Sequence, residues 1–275
     1  MILATGACTP ARDGASTTIT TVVETDDETT TTSTTAPDAA DEAPCRDGSQ
    51  PFVENGGAGV IERDDSDADT VSGIRWSSHG DCDRVIIEFT ALSGAPAVSP
   101  PGVGPLFIRP AGVLRLQLDG VVSGSAVLDQ VVDGAVTGRA FVVRRSTGEL
   151  FIDLHLSDPA IVRVSVASSP ARIIVDALAG GDPYTAPAIV TDDLVVIDPI
   201  GGNVLYPFTI NGYVRGSETT MTVSVSTEAD PEIHDGDVGA GIDAWGAFTI
   251  LVPDGPDGVA SLIVGDRIPI SLDLS

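Results

Sequence analysis

From about position 70 onward the chain is a succession of short runs in which Val, Ile and Leu alternate with polar residues or stand together, divided by clusters of Gly, Pro, Ser, Asp and Asn. That two-residue period, with β-branched residues dominant, is the signature of strands bounded by turns. The pattern predicts strands at 71–76, 84–89, 113–118, 139–144, 150–156, 161–167 and 171–177. Residues 125–132 carry a weak helical rhythm and are expected as one short helix. A Pro-rich stretch at 182–190 is expected as a hinge, and a second series follows at 194–199, 208–214, 220–226, 247–252, 258–264 and 268–274. Thr220-Met221-Thr222-Val223-Ser224-Val225-Ser226 alternates as a strand with one wet face should, while the acidic stretch 228–237 is expected as a loop. Near-regular spacing of short strands predicts an all-β fold with two β-sandwich-like domains in series, at 46–181 and 191–275.

The first part of the chain has a different character. Thr fills 11 of the 20 positions from 16 to 35, and acidic residues are interspersed among them. Such a segment has too little apolar surface to offset the entropy of ordering, so 9–45 is expected to be a disordered linker or stalk. As a flexible coil its end-to-end distance averages about 30–36 Å, lengthened by charge repulsion. Over the whole chain 40 acidic residues face 14 basic ones, every one of them Arg, for a formal charge of −26. That charge excludes nucleic acid as a partner and disfavours anionic headgroups. Aromatic residues are only 4% of the chain, so Val, Ile and Leu must fill both cores.

Three cysteines divide into one and two. Residues 1–7 are apolar but too short for a membrane span, and Thr5-Gly6-Ala7-Cys8 resembles a bacterial lipobox. Cys8 is therefore the expected lipidation site, which places missing signal-peptide residues before Met1; the bland alternative is an ordinary cysteine of an intracellular protein. Two acyl chains would anchor stably where one is marginal. Cys45 and Cys82 remain as a candidate disulfide, or else as two free thiols. If bonded, they contribute about 3–4 kcal/mol through loop-closure entropy.

Two stretches carry family resemblances. Ile74-Arg75-Trp76, His79-Gly80 and Asp83-Arg84-Val85-Ile86-Ile87-Glu88-Phe89, closing with Pro170-Ala171-Arg172-Ile173-Ile174-Val175-Asp176, resemble AMIN-like domains of actinobacterial lipoproteins. The stretch 91–138 departs from that pattern. Val196-Ile197-Asp198-Pro199-Ile200-Gly201-Gly202-Asn203-Val204, Phe208-Thr209-Ile210-Asn211-Gly212 and Asp243-Ala244-Trp245-Gly246-Ala247-Phe248 resemble the Gmad2-type immunoglobulin-like domain of spore-germination and other bacterial surface proteins. The first resemblance implies a non-catalytic module associated with peptidoglycan and the cell envelope. The second implies an immunoglobulin-like sandwich, and it assigns no site residues.

Motifs for chemistry are missing from the sequence. There is no Gly-x-Ser-x-Gly elbow, no His-Glu-x-x-His and no Cys-x-x-Cys, and a P-loop needs a Lys the chain lacks. Asp65-Ser66-Asp67-Ala68-Asp69 begins like a calcium loop, yet Thr70 and Trp76 stand where Gly and Glu are required. A looser, weak calcium site there or at Asp235-Gly236-Asp237 is the alternative to solvated acidic loops. His79, His155 and His234 are far apart in sequence, and His155 is expected at a surface or sheet edge. Trp76 and Trp245 suit core packing better than sugar stacking. The expectation is thus no catalytic residue, no metal and no cofactor, in an extracytoplasmic, lipid-anchored protein binding peptidoglycan or an envelope protein. A protein–protein scaffold recruiting its partner by strand addition is the alternative, with an enzyme of unrecognised type third.

Overall fold

The computed structural model describes Cys45 and residues 50–54, 60–120, 122–227, 231–239, 241–255 and 257–275. The first series of strands comprises β1 (Thr70–Ser78), β2 (Cys82–Thr90), β3 (Gly102–Ile108), β4 (Val113–Asp119), β5 (Gly124–Ser125), β6 (Asp129–Val131), β7 (Thr137–Arg144), β8 (Leu150–Leu156), β9 (Ala160–Ala167) and β10 (Arg172–Ala179). The second comprises β11 (Ile189–Val190), β12 (Leu194–Asp198), β13 (Gly202–Val204), β14 (Phe208–Val214), β15 (Thr220–Ser226), β16 (Glu232–Asp237), β17 (Trp245–Val252), β18 (Gly258–Val264) and β19 (Ile268–Leu274). A single 3₁₀ turn, Arg109–Ala111, interrupts them among the described residues.

These strands form three sheets and two sandwiches, so the fold is all-β. The first sheet runs β5-β1-β2-β10-β9, and the third runs β13-β19-β18-β15-β16. Between them lies a nine-stranded sheet ordered β11-β12-β14-β17-β7-β8-β4-β3, with β6 also on β7. Alternation assigns each strand's faces. Val85, Ile87 and Phe89 of β2 and Ile173 and Val175 of β10 share one core with Leu114, Leu116, Val142, Ile152 and Leu154 of the central sheet. Val196, Ile210 and Ile250, from the other half of that sheet, share a second core with Val223, Val225, Leu262 and Leu272.

The two halves meet where β17 pairs in parallel with β7, through Trp245↔Val143 and Gly246↔Arg144. The approach is so close that a Cβ on Gly239 would lie 1.9 Å from the carbonyl oxygen of Arg144. A third apolar cluster fills this join, with Val113, Phe141, Val143 and Phe151 from one half and Val195, Ile197, Tyr213 and Trp245 from the other. The Pro-rich stretch after β10 is laid on the first half: Tyr184 packs against its core and accepts the Ala160 N–H at 3.1 Å. The N–H groups of Ala186 and Ala188 bond to Pro110 and Ala111 carbonyls.

Two sequence expectations are corrected. Residues 125–132 form no helix; β5 pairs with β1, and β6 pairs with β7, because Asp129 is wanted beside Arg139 and Trp245. The acidic stretch 228–237 is not all loop, since Glu232–Asp237 is the edge strand β16, paired with β15. Charged residues suit an edge, where they deter pairing with other chains. Two other edges are occupied: Val53 bridges Val162 on β9, and Ile61 bridges Val103 on β3.

Candidate functional site between the sandwiches

Cys8 lies outside the described residues. Cys45 and Cys82 are joined in a disulfide that ties the start of the fold to β2. The calcium-like stretch serves another purpose, for Asp67 accepts the N–H groups of Val98 and Ser99 at 2.7–3.0 Å, and Asp69 accepts the Ser123 hydroxyl at 2.8 Å. Those backbone bonds hold the Asp67 carboxyl below the ordinary range. In the second acidic stretch Asp235 accepts the Thr222 hydroxyl at 2.8 Å. Among the described residues no three His, Cys, Asp or Glu gather as a metal site would require. The three histidines stay separate. Trp245 is fully buried, and Trp76 packs partly buried on the first core.

Two buried polar networks brace the first sandwich. Asp176 on β10 accepts Arg84 Nε at 2.7 Å and Arg163 Nη2 at 2.6 Å, while Arg163 also reaches the carbonyls of Cys45 and Gln50. Arg163 covers the Phe52 ring at 4.6 Å, so this cluster fastens the segment around the disulfide onto the sheet's outer face. Asp83 takes the Ser78 hydroxyl and the Ala135, Val136 and Thr137 N–H groups at 2.7–2.9 Å. Burial alone would raise its carboxyl, but these hydrogen bonds outweigh burial and hold it below the usual value. Gly134 is required beside it, because a Cβ there would fall 2.3 Å from Asp83 Oδ2.

The join between the sandwiches holds a third network. Strand β8 is buried on both faces, with Leu150, Ile152, Leu154 and Leu156 toward the first core and Phe151, Asp153 and His155 toward the second half. His155 is therefore no surface or edge residue: β8 lies centrally, and the second sandwich covers the face that alternation leaves polar. Its Nε2 is hydrogen-bonded to the Tyr213 hydroxyl across the join, and its ring packs edge-on to Phe141 at 4.9 Å. Burial, aided by Arg115 and Arg139, drives the His155 pKa down to about 3, so the imidazole is neutral at physiological pH. Burial also pushes the Tyr213 hydroxyl well above its usual value. Trp245 donates Nε1–H to Asp129 Oδ2 at 3.0 Å, and Arg139 grips the other oxygen at 2.8 Å. Arg115 on β4 gives Nε and Nη2 to buried Asp153 at 2.9 and 2.7 Å. Burial drives the Asp153 carboxyl upward against the pull of Arg115; burial disfavours the Arg115 charge too, and Asp153 more than restores it.

Above this layer opens a cleft of about 390 Å³. One wall carries Arg115, Arg145, Glu149 and Phe151, from the first half, and the other carries Asn211, Asp237 and Thr249, from the second. Both guanidiniums lie over Phe151, Arg115 at 4.0 Å from its centroid and Arg145 at 5.3 Å. On the facing wall the Thr249 hydroxyl donates to Asn211 Oδ1 at 2.9 Å. A smaller hollow of about 120 Å³ continues past Arg145, Glu149 and Phe151 toward Gln117 and Asp119. The arrangement can bind polar and charged groups between two rigid sheets. Asp237 was singled out by the sequence only within the candidate calcium stretch Asp235-Gly236-Asp237 and Asn211 only within a family resemblance, while Arg115, Arg145 and Glu149 were not singled out. The available signal was charge at alternating positions inside apolar strands, as in Leu150-Phe151-Ile152-Asp153-Leu154-His155.

No family model, curated protein or solved structure matches the chain.

Proposed function

We propose that the protein is a non-catalytic binding module of a bacterial cell envelope. It works outside the cytoplasm, lipid-anchored at Cys8, with the Thr-rich acidic segment separating the sandwich pair from the membrane. The observation that carries this reading is the Cys45–Cys82 disulfide where the fold begins, since such bonds persist in oxidising compartments. The resemblances to AMIN-like and Gmad2-type domains support the envelope and suggest peptidoglycan or a wall-associated protein as the partner. The buried and half-buried ionisable groups support a binding role over chemistry: Asp83, Asp153 and Asp176, and half-buried Asp129, each brace two strands or a loop, and His155 is held neutral.

Strand addition to a protein partner is less favoured, because Val53 and Ile61 occupy the β9 and β3 edges and β16 is acidic. The test is co-sedimentation of the full chain with isolated cell-wall sacculi. Retention above that on a neutral polysaccharide is expected, and its absence would remove the wall as partner. Capture of one abundant protein from membrane extracts in its place would move the reading to a scaffold.

A further inference from the structure

In a chain of charge −26, arginines find carboxylates easily, and most of those described, Arg139, Arg144 and Arg267 among them, hold one within ion-pair distance. Arg145 is different. It lines both hollows of the cleft, lies over Phe151, and forms no ion pair with a described carboxylate, its charge reaching the buried Asp153 only from a distance. Beside it Arg115, which also lines the cleft, spends Nε and Nη2 on Asp153 and keeps Nη1 outside that pair. The same cleft presents Glu149 and Asp237, and neither forms an ion pair with a described cation. Cations and carboxylates that share one cavity yet do not reach each other leave room for something that satisfies both.

We propose that the cleft between the sandwiches binds a small zwitterion, an amino acid or a short peptide with free ends, its carboxylate on Arg145 and Arg115 and its ammonium toward Glu149 and Asp237. Guanidinium suits the carboxylate because the Arg145 fork matches the two oxygens, and the Phe151 ring beside Arg115 and Arg145 limits the freedom of both side chains. The facing pair Asn211 and Thr249 offers hydrogen bonds to a peptide unit between the ends. About 390 Å³ falls at the small end of the roughly 300–1,000 Å³ of ligand pockets, which limits the ligand to a few residues or one end of a longer chain. A dianion such as phosphate is disfavoured by the two acids. The site does not depend on the wall being the partner.

The experiment is isothermal titration calorimetry of the full chain with glycylglycine, glycylglycinamide, N-acetylglycylglycine and inorganic phosphate. Glycylglycine is expected to saturate one site, and capping either end to weaken binding at least tenfold. Arg145→Met, which removes no ion pair and should leave circular dichroism unchanged, is expected to weaken glycylglycine at least tenfold, and Asp237→Asn to weaken it without affecting the acetylated form. No saturable binding of glycylglycine, equal binding of the capped forms, or phosphate binding in its place would each overturn the proposal. The capped ligands need no variant, so the result stands even if Arg145→Met fails to fold.

Discussion

Replacing His155 by Gln should remove a specific part of the protein's sensitivity to acid. In the folded chain the imidazole titrates at about 3, whereas an unfolded histidine titrates near 6.5. Between those values the unfolded chain holds the extra proton, so stability rises with pH and falls as pH drops below 6.5. From pH 7.5 to pH 5 the cost is about 1.5 pH units at about 1.36 kcal/mol each, or about 2 kcal/mol. The loss continues until the folded imidazole itself protonates at about 3. Gln cannot titrate and retains polar atoms for the Tyr213 hydroxyl. The assay is urea unfolding followed by tryptophan fluorescence at pH 7.5 and pH 5 for both proteins. The native chain should lose about 2 kcal/mol more than His155→Gln between the two conditions. Equal losses would refute the argument, because they would mean that His155 can take a proton in the folded state.

Other perturbations separate the networks. Asp176→Ala leaves Arg84 and Arg163 buried without their shared carboxylate and should cost about 3–5 kcal/mol in the same urea assay. Gly134→Ala drives a methyl into the Asp83 carboxylate and should cost about 1–3 kcal/mol, read as a lower thermal midpoint. Reducing the Cys45–Cys82 bond, or replacing both residues by Ala, should cost about 3–4 kcal/mol, with the urea midpoints of the variant and the reduced protein coinciding. Trp245→Ala empties the middle of the join and breaks the bond to Asp129. A loss of about 3–5 kcal/mol is expected, and thermal unfolding monitored by calorimetry should broaden if the halves come apart.

Much of the fold was legible because strand patterning is local. The runs from Val85 to Phe89, Leu150 to Leu156 and Phe208 to Val214 announce themselves through β-branched residues and two-residue alternation. The strands that escaped notice draw on other information. Gly102–Ile108 contains two Gly and a Pro and becomes a strand because it covers β4, and Glu232–Asp237 is polar because it is an edge. The join between the sandwiches was hidden for a third reason. Alternation assigns Asp153, His155, Arg115 and Tyr213 to the face away from each sandwich core, and sequence reads such a face as wet. Only the β7–β17 pairing, which links positions about a hundred residues apart, turns the two polar faces toward each other and makes a buried layer with a cleft above it. Cys45 and Cys82 were legible as a pair by counting, whereas Arg145 was not distinguishable from any other surface arginine.

The proposed function requires a molecule that works outside the cytoplasm, held to a membrane through Cys8. Intact mass spectrometry of the native protein extracted from the membrane fraction tests this most directly. The mature chain is expected to begin at Cys8 and to carry a diacylglyceryl group on its sulfur. A soluble chain retaining residues 1–7 with an unmodified Cys8 thiol would contradict it.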